Sequence, residues 1–247
     1  LLWTHLIPAT LEGRATHNVQ NAMFAAAMAF SMGLKLEDIR HGLRTFDTTF
    51  FQAPGRMNIY DEHPFKVILD YGHNPAAVEV MCNLVERLEV AGRRICVLSA
   101  PGDRRDEDVR DIGHIAAGHF DRYICRRDDT LRGRRPDEVP NLLRESLLAH
   151  GVAPEQVVMI PDEQAANDTA LREAQPGDLL LIFADAITRS WKQVIQFQPE
   201  APARPVERTR APRPEPVPAV TTASFEEGRR EFVRDNRGVW LPREADD

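Results

Sequence analysis

The stretch KVILDYGHNPAAVEVMCNLVERLEV, residues 66–90, decides the fold. Its first six residues are mostly apolar and predict a buried strand over 66–71, and residues 76–90 carry apolar side chains at helical spacing. A polar turn with a proline separates the two. Similar strand and helix patterns alternate as far as residue 197, which is typical of a parallel sheet whose strands are joined by crossover helices.

This alternation divides the chain into three segments. The first segment is residues 1–52, in which residues 10–46 carry a helical pattern: Asn18 is predicted to cap a helix that ends at Gly33, and a second helix is predicted from Leu36 to Phe46. Residues 53–197 predict an α/β, Rossmann-like parallel-sheet domain, and the proline-rich residues 198–247 predict a mostly disordered tail. The predicted strands are 66–71, 94–100, 122–126, 157–160 and 179–184, and the predicted helices between them are 76–90, 108–119, 136–150 and 163–173.

Composition argues against several classes of protein. The 247 residues carry a formal net charge of -7, whereas general binders of nucleic acid or membrane surfaces concentrate positive charge. Cys82, Cys96 and Cys125 stand in apolar runs, so they predict buried thiols and no disulfide framework, and no metal site is indicated. No apolar run is long enough to span a membrane. We therefore expect a soluble, cytoplasmic protein that binds neither nucleic acid nor membranes.

Polar side chains follow the carboxyl ends of the predicted strands. In an open parallel sheet these ends share one edge, where ligands bind. Any one of these residues is more often a loop residue or a helix cap than a ligand. Four polar clusters on one edge nevertheless indicate a binding site. Its candidates are Asp70, His73 and Asn74 after the first strand, Asp103 after the second, Asp129 and Arg132 after the third, and Asp185 and Arg189 after the fifth.

Three short motifs occur in a particular order. They are Gly13-Arg14-Ala15-Thr16-His17-Asn18-Val19-Gln20-Asn21, Gly55-Arg56 and Asp70-Tyr71-Gly72-His73-Asn74-Pro75. In this order and spacing they resemble the Mur ligase family, in which a central ATPase domain ends on a His-Asn motif. The carboxyl-terminal domain of that family opens on Gly-Arg and carries the signature Asp-Tyr-Ala-His-Asn-Pro. The resemblance covers roughly residues 1–197 and implies an ATP-dependent acid–amino-acid ligase.

The resemblance also implies a role for each matching residue. His73 and Asn74 would face the nucleotide and the reacting phosphate as the catalytic pair. ATP and Mg²⁺ would be the cofactors, bound mainly by the central domain upstream of residue 1. The implied nucleotide-binding residues are Asn18 and Asn21 near the adenine, Arg56 near the ribose and phosphates, and Asp70 near the ribose.

Finer details resemble the branch of the family that makes cyanophycin by adding arginine to the aspartate side chains of a poly-aspartate backbone. These details are Gly72 in place of alanine, residues 102–106 and residues 185–193. They imply arginine and a poly-aspartate or cyanophycin primer as partners, in a full-length enzyme that we expect to be a homo-oligomer. Residues 129–132, Asp-Thr-Leu-Arg, hold the place of an Asp-Asn-Pro-Arg motif that grips diaminopimelate in related ligases, and only the outer residues match.

An arginine substrate needs two opposite anchors. Arg132 is expected to pair with its carboxylate in a forked geometry, and Arg189 lies on the same predicted edge. Arg134, in the same basic run as Arg132, is expected to be solvated. The sequence leaves the acceptor of the substrate guanidinium open. Its candidates are Asp129, Asp103 and Asp185.

One motif of such a ligase is missing from the chain. A phosphate loop requires a lysine directly after a glycine, and none of the three lysines, Lys35, Lys66 and Lys192, follows one. We therefore expect a fragment that is inactive alone. Two alternatives stay open: another Mur-type ligase, acting on a peptidoglycan precursor or a folylpolyglutamate, and a non-catalytic nucleotide-binding or assembly module.

Overall fold

The structure of the chain is a computed structural model. It describes residues 1–199 and two short strands, Val233–Asp235 and Gly238–Trp240, which pair antiparallel. These two strands belong to a unit separate from residues 1–199. The disorder predicted for 198–247 otherwise lies outside the described residues.

Two helices form most of the first 46 residues, as predicted. Helix α1 spans Thr16–Ser31 and helix α2 spans Leu36–Thr45. The predicted cap at Asn18 is wrong, because α1 already begins at Thr16 and Asn18 lies inside its first turn. The side-chain amide of Asn18 instead donates to the carbonyl of Ala9 at 2.8 Å. Helix α1 buries none of its residues, so it takes no part in the core of the α/β domain.

A six-stranded sheet forms the centre of the domain. Strand β1 pairs antiparallel with β2, and all other pairs are parallel, in the order β1-β2-β6-β3-β4-β5. All five strands predicted from the sequence are present, each one to two residues shorter at its carboxyl end. The strands are β1 Asn58–Tyr60, β2 Lys66–Asp70, β3 Arg94–Leu98, β4 Arg122–Cys125, β5 Val157–Met159 and β6 Leu179–Phe183.

Helices cover both faces of the sheet. One core cluster packs one face of the sheet against α3, α4 and α5, and a second packs the other face against α6 and α7. Alternate residues of one strand face opposite clusters, since Ile68 belongs to the first and Val67 to the second. The helices are α3 Pro75–Arg87, α4 Asp106–Ala116, α5 Glu138–Ala149, α6 Glu163–Glu173 and α7 Ile187–Gln196.

The sequence failed to predict β1 and α7. Strand β1 is only three residues long and begins with the buried polar residue Asn58. Helix α7 buries just Ser190 and Val194, so a polar residue interrupts the apolar repeat that reveals a helix. Helix α4 also begins at Asp106, two residues before its predicted start at Asp108.

The three cysteines are free and buried, which confirms the prediction of buried thiols. Burial raises the pKa of Cys82 and of Cys125 to about 12, so neither is a ready nucleophile. Among the described helices, none combines the length and the hydrophobicity that crossing a membrane requires.

Candidate functional site

A cavity of about 640 Å³ lies between the two amino-terminal helices and the start of α3. All four residues predicted to bind the nucleotide line it: Asn18, Asn21, Arg56 and Asp70. His17, which stands in the same motif as Asn18 but was not singled out, lines it as well, and burial lowers its pKa. Most of the remaining lining is apolar, including several alanines of α1. An apolar cavity lined by a few polar groups suits a heterocyclic base.

Asp70 ends β2 and lines this cavity. Its carboxylate accepts a hydrogen bond of 2.8 Å from the backbone N–H of Met57. Burial raises the pKa of Asp70, while the N–H groups of Met57 and Gly72 and the nearby Arg56 and His73 partly oppose that shift. The side chain is therefore an oriented hydrogen-bond acceptor, which is what recognition of a ribose hydroxyl requires.

Arg56 supplies positive charge at the mouth of the cavity. Its guanidinium lies 5.7 Å from the centre of the Tyr71 ring and stays exposed. Within the part of the chain that the structure describes, no carboxylate forms an ion pair with it. Most of its N–H groups are therefore available to an anion, and a guanidinium held over an aromatic face suits a phosphate.

His73 and Asn74 form the turn between β2 and α3 and are not among the residues that line the cavity. The Nδ1 atom of His73 lies 2.8 Å from the carbonyl oxygen of Tyr71, so Nδ1 carries an N–H that donates to that oxygen. The side-chain oxygen of Asn74 caps α3 by accepting from the N–H of Ala77 at 2.9 Å. Both residues thus flank a helix amino terminus, where backbone N–H groups attract anions.

A second group of polar side chains gathers after β3, β4 and β6. Arg132 donates to Asp103 at 2.7 Å, and Arg189 donates to Asp129 at 2.5 Å. Four of the five predicted substrate-binding residues are therefore paired with one another. Asp185 has no side-chain partner among the described residues, although it lies close enough to Arg132 to contribute to the raised pKa of that guanidinium.

Close contact between two loops creates the pair of Arg132 and Asp103. A Cβ atom on Gly102 would lie 2.2 Å from the carbonyl oxygen of Leu131, so only glycine permits this approach. Arg132 itself has a φ of 51°, in the left-handed region, and is followed by Gly133. Arg132 also holds the pKa of Asp103 below its ordinary value, chiefly through their hydrogen bond. The loops therefore present an arginine and a charged carboxylate side by side.

The expectation that Arg134 is solvated is wrong. Only 14% of its side chain is exposed, and its guanidinium forms ion pairs with Asp106 at 2.7 Å and Glu138 at 2.6 Å. It also donates to the carbonyl oxygens of Gly102 and Arg104. Arg134 is therefore a structural link between the loops after β3 and β4. Arg135, with 81% of its side chain exposed, is the solvated arginine of this run.

The sequence did not reveal a buried ion-pair cluster next to the polar group that follows β3, β4 and β6. Arg126, at the end of β4, has no exposed surface and lies 3.4 Å from Asp128 and 3.5 Å from Glu163. Burial raises the pKa of Asp128, and the nearby Arg126 opposes that shift. The sequence feature that could have indicated this cluster is Arg126 itself, an arginine directly after the buried strand β4. The described residues contain no group of three or more histidine, cysteine or acidic side chains that could hold a metal ion.

Comparison with known proteins defines the class. A family model described as "Mur ligase, glutamate ligase domain" matches residues 55–186. The chain belongs to the Mur ligase family, as its motifs predicted. The FolC protein of E. coli, solved with DHPP and ADP, is 25% identical with a TM-score of 0.56, over 71% of this chain and 38% of that one.

Within that family the chain is similar to cyanophycin synthetases, consistent with their carboxyl-terminal part. It is 37% identical over 184 residues to the cyanophycin synthetase of Crocosphaera subtropica, and 37% identical over 185 residues to that of a Synechocystis species. These alignments cover 74% and 75% of this chain. The chain spans about a fifth of the length of these relatives, 21% in each case.

Proposed function

We propose that this chain is the carboxyl-terminal part of an ATP-dependent ligase that joins arginine to the aspartate side chains of a poly-aspartate backbone. The observation that carries the proposal is the carboxylate of Asp185 in the group after β3, β4 and β6. The carboxylates of Asp103 and Asp129 there are paired with Arg132 and Arg189, whereas Asp185 has no side-chain partner among the described residues. An unpaired carboxylate favours a cationic substrate side chain over an acidic one.

Asp185 is the residue best suited to accept the substrate guanidinium. It is half-buried at the end of β6 and has no side-chain partner among the described residues. Arg132 and Arg189, each 38% to 43% exposed, have N–H groups left for the substrate carboxylate beside their aspartate partners. An arginine bound between Asp185 and these guanidiniums would be held at both ends.

Residues 1–52 are proposed to be the end of the central ATP-binding domain. Helix α1 buries nothing, and Met23, Phe24 and Phe30 are each more than 60% exposed. Such a large exposed apolar face marks an interaction surface. The proposal places the base of ATP in the cavity beside Asn18 and Asn21, the ribose at Asp70 and a phosphate at Arg56. Mg²⁺ would be held mainly by the residues of the ligase outside this chain.

The proposed reaction has two steps. An aspartate carboxylate attacks the γ-phosphorus of ATP, which forms an acyl phosphate and releases ADP. The uncharged α-amino group of arginine then attacks the acyl carbon, phosphate leaves, and the nitrogen loses a proton as the amide forms. The contribution of this chain is to bind and orient: Arg56 and the start of α3 stabilise phosphate charge, while Asp185 and Arg132 hold the amine in line with the acyl carbon.

The test is the variant Asp185→Asn in the complete ligase, with Asp61→Asn as control. Asp61 is an exposed aspartate in the turn before β2, at the end of the sheet away from Asp185. Losing a charged hydrogen-bond partner should raise the KM for arginine about tenfold or more, because such a contact contributes about 1.5–3 kcal/mol. The KM for ATP should stay constant, and Asp61→Asn should change neither constant. An arginine KM that is equal in both variants would remove Asp185 from the site.

Two other functions are separated by the same assay. Another Mur-type ligase, acting on a peptidoglycan precursor or a folylpolyglutamate, would consume diaminopimelate or glutamate in place of arginine. A non-catalytic module would bind ADP and form no amide with any of the three. The unpaired carboxylate of Asp185 disfavours glutamate, whose side chain is itself an anion.

A further inference from the structure

Glu163 is a carboxylate with no exposed surface at the first residue of α6. One of its oxygens accepts the hydroxyl proton of Ser190 at 2.5 Å. The backbone N–H of Ala186 lies 3.3 and 3.2 Å from its two oxygens. Burying a charged carboxylate is costly unless it is paired and hydrogen-bonded, and these partners all come from the beginning of α7. Glu163 therefore ties the start of α7 to the start of α6.

Two guanidiniums lie near one oxygen of this carboxylate, Oε2. Arg126, fully buried, lies 3.5 Å from it and donates to the carbonyl oxygen of Phe183 at 2.6 Å, where β6 ends. Arg189, 43% exposed, lies 3.7 Å from it and reaches Asp129 with the same terminal nitrogen. Successive ion pairs therefore connect the buried core to the exposed group, in the order Arg126, Glu163, Arg189 and Asp129.

A third contact fixes the orientation of the Ser190 hydroxyl. Asn167, one turn along α6 from Glu163, donates to that hydroxyl at 3.0 Å, so the hydroxyl must give its own proton to Glu163. Asn167 and Ser190 have no exposed surface either. Since Arg189 immediately precedes Ser190, this contact also sets the orientation of the first turn of α7.

We propose that Glu163 is a positioning residue for the amino-acid site: its carboxylate holds the start of α7 so that Arg189 and Asp185 face the substrate. The inference rests on the proposed function for the location of that site. Glu163 itself touches no substrate. A merely structural carboxylate would affect stability and every substrate alike, whereas a positioning carboxylate affects the amino acid selectively.

The test uses Glu163→Gln in the complete ligase. Glutamine keeps the size of glutamate and an oxygen that can accept from Ser190 and Ala186, but it removes the charge that faces Arg126 and Arg189. The KM for the amino acid should rise about tenfold, because an Arg189 that is no longer held in position loses its charge-assisted contact with the substrate, while the KM for ATP should stay within about twofold. Thermal unfolding of the 247-residue chain, with and without the substitution, checks that the variant is folded.

The matched control is Glu173→Gln. Glu173 ends the same helix and forms a 3.0 Å ion pair with Arg122, at the end of the sheet away from the site. It should leave both KM values unchanged. If Glu163→Gln does not fold, Ser190→Ala carries the test, because it removes only the hydroxyl that links α7 to Glu163, and it should raise the same constant.

Two results would overturn the proposal. One is an unchanged amino-acid KM in a folded Glu163→Gln, or in Ser190→Ala where that variant replaces it. The other is an equal rise in both KM values, which a general loosening of the domain would produce. The identity of the amino acid is determined separately on the unsubstituted enzyme. If glutamate or diaminopimelate is consumed, the proposed arginine substrate is wrong, and the effect of Glu163→Gln is then measured with that amino acid.

Discussion

Replacing Gly72 with alanine is expected to destabilise the domain, even though the related signature in the Mur ligase family has alanine at this position. Gly72 lies between Asp70 and His73, and its backbone conformation does not require glycine. The reason lies in the packing. A Cβ atom there would lie 2.7 and 2.8 Å from two ring carbons of Phe183 and 3.2 Å from a carboxylate oxygen of Asp70. Phe183 has no exposed surface and ends β6 beside Asp70.

The size of the effect follows from these distances. Carbon atoms pack at about 3.5–4.0 Å, so the Phe183 ring must retreat by about 1 Å into a close-packed core. Overpacking of this kind costs about 1–3 kcal/mol. Alanine has fewer backbone conformations than glycine in the unfolded chain, and this offsets about 0.4–1 kcal/mol of the loss. The difference between the midpoints of these two ranges gives an expected net loss in the free energy of unfolding of about 1.3 kcal/mol.

Urea denaturation of the 247-residue chain measures this loss. The matched control is Gly42→Ala, at a glycine inside α2 with no atom near the added methyl group. Its effect should have the opposite sign, a gain of about 0.5–1 kcal/mol from helix propensity. Phe183→Leu should relieve the clash, so a double-mutant cycle with Gly72→Ala should show a coupling of about 1 kcal/mol. A Gly72→Ala chain as stable as the unsubstituted one would refute the steric argument.

Four further outcomes are expected. Arg56→Ala in the complete ligase should raise the KM for ATP about tenfold while leaving the urea midpoint unchanged, because its guanidinium pairs with no carboxylate in the described residues; an unchanged ATP dependence would exclude it from the site. Arg132→Lys should weaken arginine use and spare ATP, since lysine loses the planar fork, and Arg135→Lys is the control. Arg134→Ala should instead lower stability by about 1–3 kcal/mol, read from urea curves, because the carbonyl oxygens of Gly102 and Arg104 lose their donor. Burial raises the pKa of Asp70 above the ordinary 3.8. Between the pKa of the unfolded chain and that of the folded chain the folded state binds more protons, so stability falls as the pH rises through that range. The urea midpoints of Asp70→Asn should lack this pH dependence.

Some of the candidate site was predictable because it is encoded in short segments. The motif of residues 13–21 and the turn after β2 each place several functional groups within one helix turn or one loop. The strand ends then had to meet at one edge, since parallel strands joined by crossover helices share their direction. Asn18, Asn21, Arg56 and Asp70 accordingly line one cavity.

The partners of the charged residues were not predictable in the same way. Asp103 and Arg132 are 29 residues apart, and Arg189 and Asp129 are 60 apart. Which arginine pairs with which aspartate depends on how closely two loops approach, and at Gly102 that approach is set by a single missing methyl group. Arg134 looked like a solvated neighbour of Arg132 for the same reason, because side-chain burial depends on residues far away in the chain.

The sequence by itself determined the alternation of strands and helices, the parallel sheet and the family, because apolar periodicity and short motifs are local properties. Only the tertiary structure decided the strand order, with β6 inserted between β2 and β3, and the role of Glu163. A glutamate at the start of a helix is ordinarily an exposed residue that favours the helix dipole. Here the start of α7 and Arg126 both pack against Glu163, which leaves it no exposed surface. No local sequence pattern predicts that this carboxylate is buried.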